Sequence, residues 1–156
     1  MKTNARDNYL DEYRFSATTT TANLSVTATV VNSCTVTAPT AIAFGPITAS
    51  TTTNQTTAGV VSVDCTANQA SVSVTLDGGA NVSTGQRRMS DGGTNYMPYN
   101  LFSDASHTTS IAVGGTIYSG GITALTPQNI SIYGQVPPGS YVAGSYTDTV
   151  LVTLTY

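Results

Sequence analysis

The sequence has no tryptophan, a single histidine (His107), two cysteines and very few charges. Charged residues make up 8% of the 156 positions, against about 25% in an ordinary soluble domain. Lysine occurs once, at Lys2, and beyond residue 17 the only basic side chains are Arg87 and Arg88. This excludes a basic stripe of the kind that grips nucleic acid or an anionic lipid surface. With one imidazole and two thiols in no Cys-x-x-Cys pair, a four-ligand zinc site has too few donors. No run of about 20 apolar residues occurs, so no transmembrane helix is expected. A surface this poor in charge suits a protein that packs against copies of itself or persists outside a cell.

What the chain does have is Thr, Val and Tyr, which favour strands, and Gly and Ser, which favour turns. Period-two patterns recur along its length. Strands are predicted over Ala22–Val31, Cys34–Val36, Ala41–Phe44 (closed by Gly45-Pro46), Val60–Cys65 and Ser71–Leu76. More follow over Tyr96–Phe102, Ser110–Val113, Thr116–Tyr118, Ile130–Val136 and Tyr146–Tyr156. Residues 50–57 read as a polar loop. Pro98 predicts an edge or a bulge, and Gly114-Gly115 a hairpin. Short strands at this spacing, with no convincing helix between them, predict one antiparallel β-sandwich domain.

The two ends of the pattern carry the most information. Val150, Val152 and Leu154 point one way, and Leu151, Thr153 and Thr155 the other, with the alternation running into Tyr156. A sheet edge is expected beside this strand, and an uncovered edge needs a cover. The alternating side chains Ala22, Leu24, Val26, Ala28 and Val30 are the candidate cover, from this chain or another. Residues 1–17 hold six charges and no apolar stretch suited to a secretory signal, and read as a leader or extension outside the fold.

Few constellations carry chemistry. Asp104, His107 and the serines at 103, 106 and 110 would share one short loop, where a Ser-His-Asp triad cannot take its geometry. No enzyme activity, metal or cofactor is expected. Asp77-Gly78-Gly79 and Asp91-Gly92-Gly93 read as turns, because calcium needs more carboxylates close together. Arg87-Arg88 reads as a solvated loop pair, and His107 as a solvated loop histidine. Cys34 and Cys65 read as a disulfide, which implies an oxidising compartment such as a periplasm.

Four segments, in order, resemble the spore coat U domain family. Thr27-Ala28-Thr29-Val30-Val31-Asn32-Ser33-Cys34-Thr35-Val36, followed by Phe44-Gly45, is similar to its start. Tyr99-Asn100-Leu101-Phe102-Ser103-Asp104-Ala105-Ser106 resembles its central Tyr-x-Leu-Tyr-x-Asp-Ala segment. Ile132-Tyr133-Gly134-Gln135-Val136-Pro137 resembles its Val-Tyr-Gly-x-Ile/Val-Pro, and Gly144-Ser145-Tyr146-Thr147-Asp148-Thr149-Val150 its closing Gly-x-Tyr-x-Asp-Thr-Val. Ser110–Gly114 lacks the Trp-Gly that often follows the central segment, which marks a different loop there.

The family includes subunits of archaic (Csu-type) chaperone–usher pili. The resemblance implies an all-β, incomplete immunoglobulin-like sandwich completed by donor-strand exchange. Residues 32–156 would form the pilin domain and 18–31 the donor segment. The family's pairing carries over to Cys34 and Cys65, and its donor strand to about Ala22–Val30. The implied partners are identical subunits, a periplasmic chaperone and an outer-membrane usher. The implied place is a pilus at the cell surface, serving attachment and biofilm formation. The alternatives are a tip adhesin or carbohydrate-binding module, with Tyr96 and Tyr99 as stacking platforms, and a spore or cyst coat protein.

Overall fold

The computed structural model describes residues 18–156. The leader reading of residues 1–17 lies outside the described residues. Eleven strands are present: β1 (Cys34–Thr40), β2 (Ser50–Thr51), β3 (Gln55–Cys65), β4 (Gln69–Leu76), β5 (Arg88–Ser90), β6 (Tyr96–Pro98), β7 (Asn100–Phe102), β8 (Gly115–Ile122), β9 (Gln128–Val136), β10 (Gly139–Ser140) and β11 (Val152–Thr155). No helix occurs among the described residues.

Residues 31–156 form an immunoglobulin-like antiparallel sandwich. One sheet runs β1-β3-β9-β7 and the facing sheet β11-β4-β8. Two short pairs, β10-β2 and β5-β6, form separate two-stranded ladders. Period-two alternation builds the core between the sheets. Val61, Val63 and Cys65 of β3 and Ile130, Ile132 and Val136 of β9 meet Val72, Val74 and Leu76 of β4. The intervening residues face out, which is why Thr and Ser dominate them.

The Cys34–Cys65 disulfide is present, and the two cysteines are directly opposed in the β1–β3 ladder. Beyond the disulfide, the Thr66 amide donates to the Ser33 carbonyl at 2.9 Å. The Ala67 amide donates to Asn32 Oδ1 at 3.1 Å.

Several elements depart from expectation. β3 begins at Gln55, inside the predicted polar loop, because its threonines pair with β9 through Gln55↔Val136. Tyr96–Phe102 is broken at Tyr99: β6 pairs with β5 and β7 with β9, so Pro98 marks a change of sheet. Ser110–Val113 forms no strand beyond a single bridge from Ser110 to Phe102. Gly114-Gly115 therefore leads into β8 rather than joining a hairpin. Ala41–Phe44 keeps its apolar alternation but has no ladder, and residues 18–33 form no strand. The C-terminal strand is shorter than its pattern, Val152–Thr155.

Reducing the disulfide, or replacing Cys34 and Cys65 with alanine, should destabilise the domain by about 3–4 kcal/mol. The readout is the urea midpoint with and without reductant; an unchanged midpoint would remove the crosslink from the stability of this fold.

Candidate functional site: an apolar groove between two open edges

β1 and β11 each lie at the edge of their sheets. Between the segments that extend from them runs a groove of about 980 Å³. Its floor is apolar: Val61, Leu76, Met97, Leu101 and Ile132. One wall is residues 41–47 and the other residues 142–150 with Val152.

The first wall follows directly from β1. Ile42, Phe44 and Ile47 turn half-buried side chains inward, while the residues between them are exposed. No backbone–backbone hydrogen bond is made by residues 41–47 among the described residues. This strap is thus an edge with its ladder groups free, running from Ala41 to Phe44 before the chain turns at Gly45, where φ is +67. It is pinned at its ends, by the Thr40↔Val60 pair and by the Tyr141 amide donating to the Ala49 carbonyl at 2.7 Å.

The second wall is heavily bonded on its inner side. Thr147 and Ser90 exchange both backbone hydrogen bonds at 2.9 Å, and the Ala80 amide donates to the Thr149 carbonyl at 3.1 Å. The Asp77 amide donates to the Leu151 carbonyl at 3.0 Å. The Leu151 amide returns a bond to Asp77 Oδ1 at 2.8 Å. In an antiparallel ladder, alternate residues direct their backbone groups to opposite sides. Residues 147, 149 and 151 are spent inward, so 148, 150, 152 and 154 direct theirs outward, away from β4. Val150, Val152 and Leu154 also pack their side chains on the core, as their alternation predicts.

Asp148 fixes this wall. The buried Tyr99 hydroxyl donates to Asp148 Oδ2 at 2.6 Å. The Asn81 amide and Nδ2 donate to Oδ1 at 3.2 and 3.1 Å. Gly79 has φ +79, and a β-carbon there would run into the Asp148 carboxylate. Burial, and then the bond to Asp148, push the Tyr99 hydroxyl well above its ordinary pKa, so it stays a donor. The central and closing motifs are thus joined by one hydrogen bond.

Arg87 corrects the reading of a solvated pair: it is 4% exposed. Its guanidinium donates to the carbonyls of Asp77 (2.9 Å), Leu76 (3.3 Å), Ile111 (2.6 Å) and Ala112 (2.9 Å). Desolvation lowers its pKa, opposed by Tyr99, Asp77 and Asp148. No pattern in the sequence marks it as buried, since its neighbours are polar and irregular. Arg88 stacks on Tyr96 at 4.1 Å, on a ring that stays 41% exposed, whereas Tyr99, the other proposed sugar platform, is buried.

The triad residues are not arranged as one. The Asp104 carboxylate accepts from the amides of Thr108 (3.0 Å) and Thr109 (2.6 Å), bonds that hold its pKa down at about 2. His107 is half-buried and lies edge-on to Phe102 (5.2 Å) and Tyr133 (6.2 Å), not in open solvent. The Asp-Gly-Gly pieces are Asx turns, with Gly79 and Gly93 amides donating to Asp77 and Asp91 at 2.8 Å.

The family described as Spore Coat Protein U domain matches residues 20–153. The chain belongs to the Spore Coat Protein U domain family. No curated protein matches it. Among solved structures, this Spore Coat Protein U domain is similar to a chain of the CsuC–CsuE chaperone–tip adhesion subunit pre-assembly complex. That complex comes from the archaic chaperone-usher Csu pili of Acinetobacter baumannii. Identity is 23%, over 82% of this chain and 40% of that one, with a TM-score of 0.61. A weaker likeness, 10% identical with a TM-score of 0.46, is to a chaperone–tip adhesin complex of CFA/I fimbriae biogenesis, over 78% of this chain and 42% of that one. The chain spans less than half the length of either. At these identities the first likeness is one of fold.

Tyr99→Phe and Asp148→Ala should each destabilise the domain by about 2 kcal/mol, and the double variant by clearly less than their sum. Urea unfolding of the three variants checks this; additive losses would show that the two groups do not act through each other.

Proposed function

We propose that this chain is a structural subunit of a surface pilus, polymerising head-to-tail by donating residues 18–31 to the groove of the next subunit. The observation that carries the reading is the groove itself: an apolar trough flanked by two extended edges with free backbone groups. A strand laid between them would bond to both and fill the floor with alternate side chains. Ala22, Leu24, Val26, Ala28 and Val30 have that alternation, and Leu24, Val26 and Val30 are 89%, 84% and 97% exposed.

Burying three or four such side chains contributes roughly 5–10 kcal/mol before the costs of ordering. Hydrogen bonds along both edges add to that. Donor and groove are different surfaces of the same chain, so the contact is heterologous and builds an open filament. Val150, Val152 and Leu154 supply the C-terminal edge of the groove, and residues 32–156 the accepting domain. Before assembly, a periplasmic chaperone covers the groove, and an outer-membrane usher exchanges it for the donor. The disulfide and the scarcity of charge support passage through a periplasm to the cell surface. Attachment and biofilm formation are the roles this assembly serves.

Leu24→Asp or Val26→Asp should abolish polymers while leaving the sandwich folded, read by negative-stain imaging and circular dichroism. Long filaments from either variant would sink strand donation, and discrete monomers from the unaltered chain would favour a binding module. Deleting residues 1–16 should leave filament stability to heat and detergent unchanged; weakened filaments would place those residues in the assembly.

A further inference from the structure

The two walls of the groove are held in different ways. Hydrogen bonds fasten the C-terminal wall at residues 147, 149 and 151 and through the Asp148 side chain. Between its pinned ends, the strap of residues 41–47 is held by side chains. Ile42 and Phe44 enter a recess on the core face of the β1-β3-β9-β7 sheet. Two buried glycines on adjacent strands create it: Gly59 of β3 and Gly134 of β9.

A β-carbon at Gly59 would lie 2.7 Å from Ile42 Cγ1 and 2.8 Å from the Thr40 carbonyl oxygen. One at Gly134 would lie 2.7 Å from Ile42 Cγ2 and 2.9 Å from Phe44 Cζ. Both glycines stand where the alternation of their strands calls for a large apolar residue. Each has a negative or extended backbone, so no turn requires a glycine there. What the missing side chains provide is room for the strap.

We propose that Gly59 and Gly134 form a seat for the strap, and that the strap is the adjustable wall of the groove, its position on the seat setting the groove's width for an incoming strand. This rests on the donor-strand reading and deepens it. An edge with free backbone groups, held by apolar contacts alone, can shift to meet the register of an arriving strand. The stretch 147–151 of the opposite wall, bonded at every second residue, cannot. The two glycines, Ile42 and Phe44 are therefore positioning residues: they act through the place they give the free edge.

The test uses the full chain carrying Leu24→Asp, which silences its own donor, and a fluorescent peptide of residues 20–32 read by anisotropy. Adding Gly134→Ala should weaken peptide binding about ten-fold by lifting the strap. Adding Ile42→Ala should also weaken it, by loosening the strap. The two together should recover part of the affinity, because Ile42→Ala removes the nearest clash with the new methyl group and leaves only the tip of the Phe44 ring to shift. Should Gly134→Ala fail to fold, Ile42→Ala and Phe44→Ala, which add no atoms, must still weaken binding. Unchanged affinity in the seat variants, with the Leu24→Asp parent binding normally, overturns the seat alone. A parent that does not bind the peptide overturns the donor-strand reading and the seat with it.

Discussion

A half-buried carboxylate needs donors, and Asp148 finds them in the Tyr99 hydroxyl and in the amide and side chain of Asn81. That requirement fixes the course of the chain. It sets residues 147–151 against the turn at Asp77-Gly78-Gly79, with Gly79 leaving space for the carboxylate. The Asp77 side chain then takes the Leu151 amide, and the ladder with β4 begins at Val152 in the register that turns Val150, Val152 and Leu154 inward. Asp148 adds to the backbone bonds at 147, 149 and 151 a side-chain tie to Tyr99 and Asn81.

The buried Arg87 works beside the same turn. Four carbonyls, none from a charged side chain, satisfy its guanidinium, and they tie Leu76 and Asp77 to Ile111 and Ala112. The end of β4, the approach to β8 and the C-terminal wall thereby meet around one polar cluster at the edge of an otherwise apolar core. A cation there is expensive to desolvate, and its geometry is accordingly specific.

Strands buried on one face were legible in the sequence, because alternation is what they need. β4 and β9 were located within two residues, and of the two faces the C-terminal alternation separates, it is the one with Val150, Val152 and Leu154 that packs on the core. The disulfide was legible from the scarcity of alternatives. The strap was misread as a strand because side-chain alternation records which face is buried and says nothing about whether the backbone has a neighbour. The same limit applies to residues 22–31, whose pattern is that of a strand although none forms there. Arg87 and the Asp148–Tyr99 bond were out of reach for another reason: both depend on irregular segments far apart in sequence. Gly134 lay inside the predicted strand Ile130–Val136 and Gly59 just before the one predicted from Val60, and nothing in the alternation shows that a strap fills the space above them.

The placement of the two arginines has a consequence for durability. Among the described residues they are the only basic side chains, one enclosed by carbonyls and the other laid over an aromatic ring. Proteases of the tryptic type need an extended segment with a free cationic side chain to enter their specificity pocket. Within residues 18–156 neither arginine is free in that sense, so the sandwich itself is a poor substrate for enzymes of that class, and the remaining lysine and arginine positions, Lys2, Arg6 and Arg14, all precede it.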